Sequence, residues 1–174
     1  MKNQKQNALY GDASFVVRSS LTEQPRQDRG YAVSRAYQKI ASDGSLRDAT
    51  GLEVGDRVLV TLRIETPRPG HFVAIDDPLP AILEAIHPEF HSQQAGEGGS
   101  LDHAWAADYR EIRADRVLYF CDHLPAGSFT FRYLARVRSA GNVTAPAAKV
   151  EEMYRPERFG LSPSQRLTST PAKN

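Results

Sequence analysis

Alternation of apolar and polar residues is the dominant pattern along this chain. Within residues 57–65 every second position carries an aliphatic side chain: Val58, Val60, Leu62 and Ile64. Residues 129–138 repeat the pattern more strongly, with these residues on one face: Phe129, Phe131, Tyr133, Ala135 and Val137. A period of two with polar residues in between is typical of strands whose sheet packs on one side only. Both segments are therefore predicted to be core strands.

Shorter apolar runs and turn signals extend this pattern over most of the chain. Further strands are predicted around residues 31–37, 72–75, 109–113 and 116–121. About seven short strands without a strong helical pattern predict an all-β fold, an immunoglobulin-like antiparallel β-sandwich. Residues 67–70, Pro-Arg-Pro-Gly, lie between two apolar runs and predict a hairpin. Residues 81–86 follow Pro80 and have room for one short helix.

Composition shifts divide the chain into three parts. Residues 1–28 hold one candidate strand and a polar linker, residues 29–160 hold the sandwich, and residues 161–174 form a Ser/Thr/Pro-rich tail predicted to be flexible. Within the sandwich, residues 87–103 are rich in Gly, Ser, Gln and His, which predicts a long exposed loop.

The charge balance limits the classes of partner. The 174 residues carry a formal net charge of +1, which gives no reason to expect nucleic acid or an anionic membrane surface. No apolar run approaches the roughly 20 residues that a membrane helix needs, so direct membrane insertion is not expected. The first seven residues are not followed by an apolar segment, so they are not expected to be a signal peptide.

Candidate chemistry is sparse. Cys121 lies in an apolar run and is predicted to be a buried, inert thiol. His87 and His91 have the spacing of two metal ligands on a helix, but Pro88 and loop-like neighbours favour a solvated loop. Asp76 and Asp77 precede a proline and are predicted to end a strand in a turn. No catalytic residue, metal site or cofactor is therefore expected.

The arginines of the last core strand do not form a nucleic-acid site. Arg132, Arg136 and Arg138 lie opposite the aromatic face, whereas a stacking platform needs both on the same face. A solvated sheet face is the expected role of this strip. Two non-enzymatic classes remain open: an interaction module of a larger assembly, and a free-standing adhesion or ligand-binding sandwich.

One segment near the C-terminus combines polar residues with a thioether and a phenol side by side. Residues 150–157 read Val-Glu-Glu-Met-Tyr-Arg-Pro-Glu, too polar for a core strand, and Pro156 is expected to stop further backbone pairing. Met153 and Tyr154 then either cover the edge of the sandwich or present a surface to a partner. The residue types alone leave both roles open.

Several stretches of the sequence, taken together with their order and spacing, resemble one family. They are Leu52-Glu-Val-Gly-Asp-Arg-Val, Val73-Ala-Ile-Asp-Asp-Pro-Leu-Pro-Ala, Arg113-Ala-Asp-Arg-Val-Leu-Tyr-Phe, Leu124-Pro-Ala-Gly-Ser-Phe-Thr-Phe-Arg-Tyr-Leu-Ala-Arg and Glu151-Glu-Met-Tyr-Arg-Pro-Glu. Together they resemble the C-terminal macroglobulin-like domain of bacterial α2-macroglobulins, corresponding in position to the receptor-binding domain of the eukaryotic proteins. The resemblance implies that residues 8–20 are the closing strand of the preceding domain.

The resemblance also implies a function. It implies a large periplasmic protein, often membrane-anchored, that inhibits proteases by trapping them, with a thioester in another domain. The C-terminal domain of such a protein packs on the thioester domain, and its Met-Tyr pair, here Met153 and Tyr154, lies against the thioester until a protease cuts the bait region. Expected partners are the thioester domain, other domains of the same parent chain and, through the full-length protein, proteases. This chain contains no Cys-x-Glu-Gln thioester motif, so it is not expected to trap a protease alone.

Overall fold

The fold is an all-β sandwich. A computed structural model describes residues 23–86 and 103–172, together with the isolated position Ser14. The predicted strand at residues 8–20 and most of the predicted loop at residues 87–103 lie outside the described residues, so both remain predictions. The immunoglobulin-like all-β class predicted from the sequence is confirmed.

Three sheets make up the described part of the chain. The six-stranded sheet has the order β1 (Gln27–Arg29), β13 (Arg155–Leu161), β12 (Lys149–Glu152), β6 (Gly70–Pro78), β9 (Arg116–Leu124) and β8 (Tyr109–Ile112). The five-stranded sheet has the order β3 (Leu46–Asp48), β2 (Ala32–Ile40), β5 (Arg57–Thr66), β10 (Gly127–Val137) and β7 (Leu83–Ala85). The three-stranded sheet has the order β11 (Gly141–Ala145), β14 (Gln165–Thr170) and β4 (Leu52–Glu53).

The described residues form more strands than the seven or so predicted from the sequence. The additional strands are only two to five residues long. Of the fourteen strands in the described residues, seven are six residues or longer: β2, β5, β6, β9, β10, β13 and β14. Among the described residues, the strands pair antiparallel except for β14 with β4. The sandwich therefore rests on about as many long strands as the alternation pattern predicts.

The core lies between the two larger sheets. The alternating faces of β5 and β10 are buried as predicted, and the two strands pair with Phe131 opposite Leu62. Val73, Ile75 and Tyr119 from the six-stranded sheet belong to the same buried cluster. Burying large apolar side chains of this kind stabilises a fold by roughly 1.5–3 kcal/mol each before conformational entropy is counted.

Two local predictions are wrong. The Pro67–Gly70 turn does not close a hairpin, because β5 belongs to the five-stranded sheet and β6 to the six-stranded sheet. The turn instead carries the chain across the sandwich. Residues 81–86 do not form a helix, because Leu83–Ala85 pairs as β7 with the end of β10. The helical turn of the described residues is a 3₁₀ turn at Ala104–Ala106.

The prediction of a flexible tail is wrong for residues 165–170. Gln165–Thr170 forms β14, whose Leu167 is buried opposite Val143 of β11. The segment alternates, with Leu167 and Ser169 turned inward, but its serines and threonines obscure the pattern. At the other boundary, Gln27–Arg29 of the predicted linker pairs as β1 with β13.

Candidate functional site

Met153 and Tyr154 form the turn of a hairpin between β12 and β13. Glu152 pairs with Arg155 across this turn, and Glu151 pairs with Phe159. Three residues of β13, from 156 to 158, are therefore extra in the ladder and form a bulge. Pro156 lies within this bulge, where a residue without an N–H is tolerated. The expectation that Pro156 ends the pairing is wrong, and the pair lies on a supported turn rather than on a terminal strand.

The turn presents apolar side chains to the outside. Tyr154 is 78% exposed, Met153 is 47% exposed and Phe72 of β6 is 44% exposed. The rings of Phe72 and Tyr154 meet edge to face with their centres 5.3 Å apart. We call these three residues the apolar turn surface. Single exposed apolar residues are common, whereas adjacent ones on ordered backbone are typical of a contact site.

Phe72 joins this surface because the backbone of β6 is irregular there. Its φ of 52° lies in the left-handed region, which residues with a side chain rarely adopt. The backbone N–H of Met153 donates to the carbonyl of Phe72 at 2.9 Å, which links the turn to β6. Alternation alone did not mark Phe72 as part of the site. The nearby Pro-x-Pro-Gly was the one local signal of irregular backbone.

A buried carboxylate supports the turn from below. Glu152 is only 1% exposed, yet it precedes the two turn residues directly. Its Oε2 lies 2.7 Å from Nη2 of Arg155, and its Oε1 accepts a hydrogen bond from Arg158. The hydroxyl of Tyr31 also donates to Oε1, at 3.0 Å. Three donors therefore compensate the burial of this charge, as a buried carboxylate requires.

Close packing around Tyr31 restricts the base of the turn further. The guanidinium of Arg158 lies over the Tyr31 ring, 5.3 Å from its centre. A Cβ added to Gly70 would lie 2.0 Å from the Tyr31 hydroxyl oxygen and 3.1 Å from Oε1 of Glu152. Burial, together with the neighbouring Glu152, raises the pKa of Tyr31, so its hydroxyl remains a donor at neutral pH. The hairpin that carries Met153 and Tyr154 is thus held in one position.

A second buried charge network joins the two large sheets. Arg35 of β2 forms an ion pair with Asp77 of β6, and both side chains are fully buried. The Tyr133 hydroxyl donates to the other carboxylate oxygen at 2.7 Å, and Arg35 also donates to the carbonyl of Pro146. Burial is the largest single influence and lowers the pKa of Arg35, but the charge and hydrogen bond of Asp77, together with Tyr37 and Tyr133, outweigh it, and the pKa is raised. The prediction that Asp77 ends a strand in a turn is wrong.

Asp76, the other carboxylate of the predicted turn, also lies within β6. It points away from Asp77 and pairs with Arg116 of β9 at 3.0 Å. The strand continues to Pro78 because the backbone pairs regularly with β9 as far as Arg116. Asp76 and Asp77 therefore do not act as a catalytic carboxylate pair here.

The other candidate residues from the sequence are a cysteine, three arginines and two histidines. Cys121 is buried as predicted, and burial raises the pKa of its thiol to about 12. Arg136 and Arg138 are exposed, and Arg132 is partly buried. Residues 87 and 91, the spaced histidines, lie outside the described residues. Within residues 23–86 and 103–172, no group of three or more His, Cys, Asp or Glu side chains is arranged to hold a metal ion.

Comparison with known proteins identifies the family. The sequence model of one family, described as "Bacterial Alpha-2-macroglobulin MG10 domain", matches residues 30–157. The chain belongs to this family. The match includes β2 to β12 and the turn at Met153 and Tyr154, so the apolar turn surface lies inside the family's domain. The resemblance stated from the sequence is confirmed.

Curated relatives place the MG10 domain within much longer chains. The chain is 31% identical over 153 residues to an alpha-2-macroglobulin homolog from Nostoc. The aligned region covers 83% of this chain and 8% of that protein. It is 28% identical over 144 residues to circularly permutated Ras protein 2 of Dictyostelium discoideum, of which it spans 3%. The chain thus spans less than a tenth of each of these relatives.

Solved structures share the MG10 fold. Salmonella alpha-2-macroglobulin reacted with methylamine matches with a TM-score of 0.68 and 27% identity, over 85% of this chain and 10% of that one. Trypsin-activated alpha-2-macroglobulin from Escherichia coli matches with a TM-score of 0.73 and 24% identity, over 85% of this chain and 11% of that one.

In the described residues, no helix is long and apolar enough to cross a membrane.

Proposed function

We propose that this chain is the non-catalytic C-terminal domain of a bacterial α2-macroglobulin-like protease inhibitor. In this role Met153 and Tyr154 pack on the thioester domain of the same parent chain and shield the thioester until a protease cuts the bait region. The observation that carries the proposal is the apolar turn surface, which is exposed here but held on a supported hairpin. The parent protein is periplasmic in this proposal and meets proteases through its full length.

The chemistry of the turn suits a shield. A thioether and an aromatic ring cover a reactive acyl group without offering it a nucleophile, and they exclude water. The Tyr154 phenol provides one hydrogen bond to the acyl oxygen or its neighbours. Because Glu152 and its donors fix the hairpin, little conformational entropy is lost when the surface docks.

The test uses the full-length parent protein. Tyr154→Ala removes most of the exposed aromatic contact, and burying such a side chain contributes roughly 1.5–3 kcal/mol. If the resting state depends on this contact, its loss raises the rate of thioester reaction with methylamine by about 10- to 100-fold. The rate is measured by the release of the thioester's thiol.

Tyr109→Ala provides the matched control. Tyr109 is an exposed tyrosine on β8, at the edge of the same sheet and two strands from β6. The control should react with methylamine at the parental rate. A parental rate for Tyr154→Ala, with the fold intact by circular dichroism, would refute the shielding role. Specific binding of a glycan or protein by this chain alone would then favour the adhesion module.

A further inference from the structure

Two histidines face each other on neighbouring strands of the six-stranded sheet. His71 of β6 and His123 of β9 are direct partners in the antiparallel register. Their ring centres lie 4.8 Å apart and their planes are inclined by 46°. Both residues are exposed, near the ends of strands whose following pair, Gly70 and Leu124, is buried again. The two imidazoles are thus held together by backbone pairing and remain open to solvent.

The spacing of the rings matches what one shared metal ion requires. An imidazole nitrogen binds a transition metal ion at about 2.0–2.1 Å, which places the ion about 3.2 Å from the ring centre. Two ring centres 4.8 Å apart, each about 3.2 Å from one ion, subtend an angle of about 97° at that ion. This value lies between the roughly 90° of square-planar and the roughly 109° of tetrahedral coordination.

We propose that His71 and His123 form a two-imidazole site for a divalent transition metal ion. Imidazole ligands select copper, zinc and nickel, and the usual order of affinity places Cu²⁺ above Zn²⁺. Calcium and magnesium prefer oxygen ligands and are not bound. The other coordination positions face solvent and are filled by water or by a ligand from a neighbouring domain.

The strand pairing gives this site its preorganisation. Gly70 opposite Leu124 flanks the histidine pair on one side, and on the other side the pairing of β6 with β9 resumes after Phe72 with Val73 opposite Cys121. The irregular residue Phe72 follows His71 directly and belongs to the apolar turn surface. Binding of an ion by these two histidines does not depend on the proposed shielding role.

Metal titration of the full chain tests the site. Cu²⁺ and Zn²⁺ are added near neutral pH in a buffer that does not bind metals, and binding is followed by calorimetry. The variant His87→Ala/His91→Ala serves as the background, because it removes the other closely spaced histidines. We expect one ion per chain, tighter binding of Cu²⁺ than of Zn²⁺, and at least 10-fold weaker binding in His71→Ala and in His123→Ala.

Spectroscopy separates this pair from adventitious binding. The Cu²⁺ electron paramagnetic resonance spectrum should show two nitrogen ligands in the background variant and fewer in either single-histidine variant. Both substituted residues are exposed, so thermal unfolding without metal should be unchanged. Saturable binding that survives either substitution, or the absence of saturable binding in the background variant, would overturn the proposal.

Discussion

The buried pair of Arg35 and Asp77 allows a sharp test of what holds the two sheets together. Asp77→Asn keeps the shape of the side chain but leaves the guanidinium of Arg35 buried without a counter-charge. Removing one partner of a buried ion pair typically costs about 3–5 kcal/mol of the free energy of unfolding. For a chain of this size, that loss lowers the melting temperature by about 6–20 °C.

Replacing the whole network should cost far less. Arg35→Met, Asp77→Leu and Tyr133→Phe together remove both charges and also the hydroxyl that donates to Asp77. Apolar replacements of buried ion pairs are often neutral or stabilising by about 1–4 kcal/mol. We expect the triple variant to lie within about 2 kcal/mol of the parent, because Pro146 loses one donor in exchange.

Urea unfolding followed by circular dichroism measures both effects. Asp76→Asn is the matched control, because Asp76 is the adjacent residue, and its partner Arg116 reaches solvent. Partly exposed pairs contribute about 0–1 kcal/mol, so this variant should unfold nearly as the parent does. Equal losses for Asp76→Asn and Asp77→Asn would refute the reasoning. So would a triple variant as unstable as the sum of its single substitutions.

The other predictions concern the turn and the thiol. Gly70→Ala should lower the free energy of unfolding by about 1–3 kcal/mol, because the added Cβ meets the Tyr31 hydroxyl. Gly141→Ala is the control and should change it little, because its added Cβ would only contact Ile82 at 3.4 Å. Glu152→Gln should cost less than Asp77→Asn in the same urea assay, because Arg155 and Arg158 both reach water; an equal or larger loss would contradict this. The pKa of Cys121 is raised to about 12, so its thiol should not react with a thiol reagent at about pH 8 until guanidinium chloride unfolds the chain. Rapid reaction of the native protein would contradict this and show that the thiol is accessible.

Local alternation was enough to predict the core strands but not the way the chain connects them. The period of two in β5 and β10 follows directly from which face is buried. The Pro67–Gly70 turn signals a change of direction, and nothing in its residues states which sheet receives the next strand. Likewise, residues 81–86 have helical propensity, but pairing with the end of β10 outweighs it.

The buried ion pair of Arg35 and Asp77 was not predicted, because its members are far apart in sequence. Asp77 was predicted to be in a turn because a proline follows it. Its partners Arg35 and Tyr133 lie 42 and 56 positions away in sequence, so no local pattern indicates them. The residue types of Met153 and Tyr154 left two roles open, an edge seal and a presented surface. Phe72 was missed because its exposure depends on a left-handed backbone conformation and on pairing with distant β12.

The position of β12 between β6 and β13 also has a consequence for the order in which the protein assembles. Val150 of β12 pairs with Ile75, which the ribosome adds 75 residues earlier. Until β12 emerges, one edge of β6 is unpaired and can recruit a strand from another chain. The hairpin that carries Tyr154 therefore also closes a sheet edge that is open during synthesis. A chain truncated before residue 149 should aggregate during expression, because this edge then stays open.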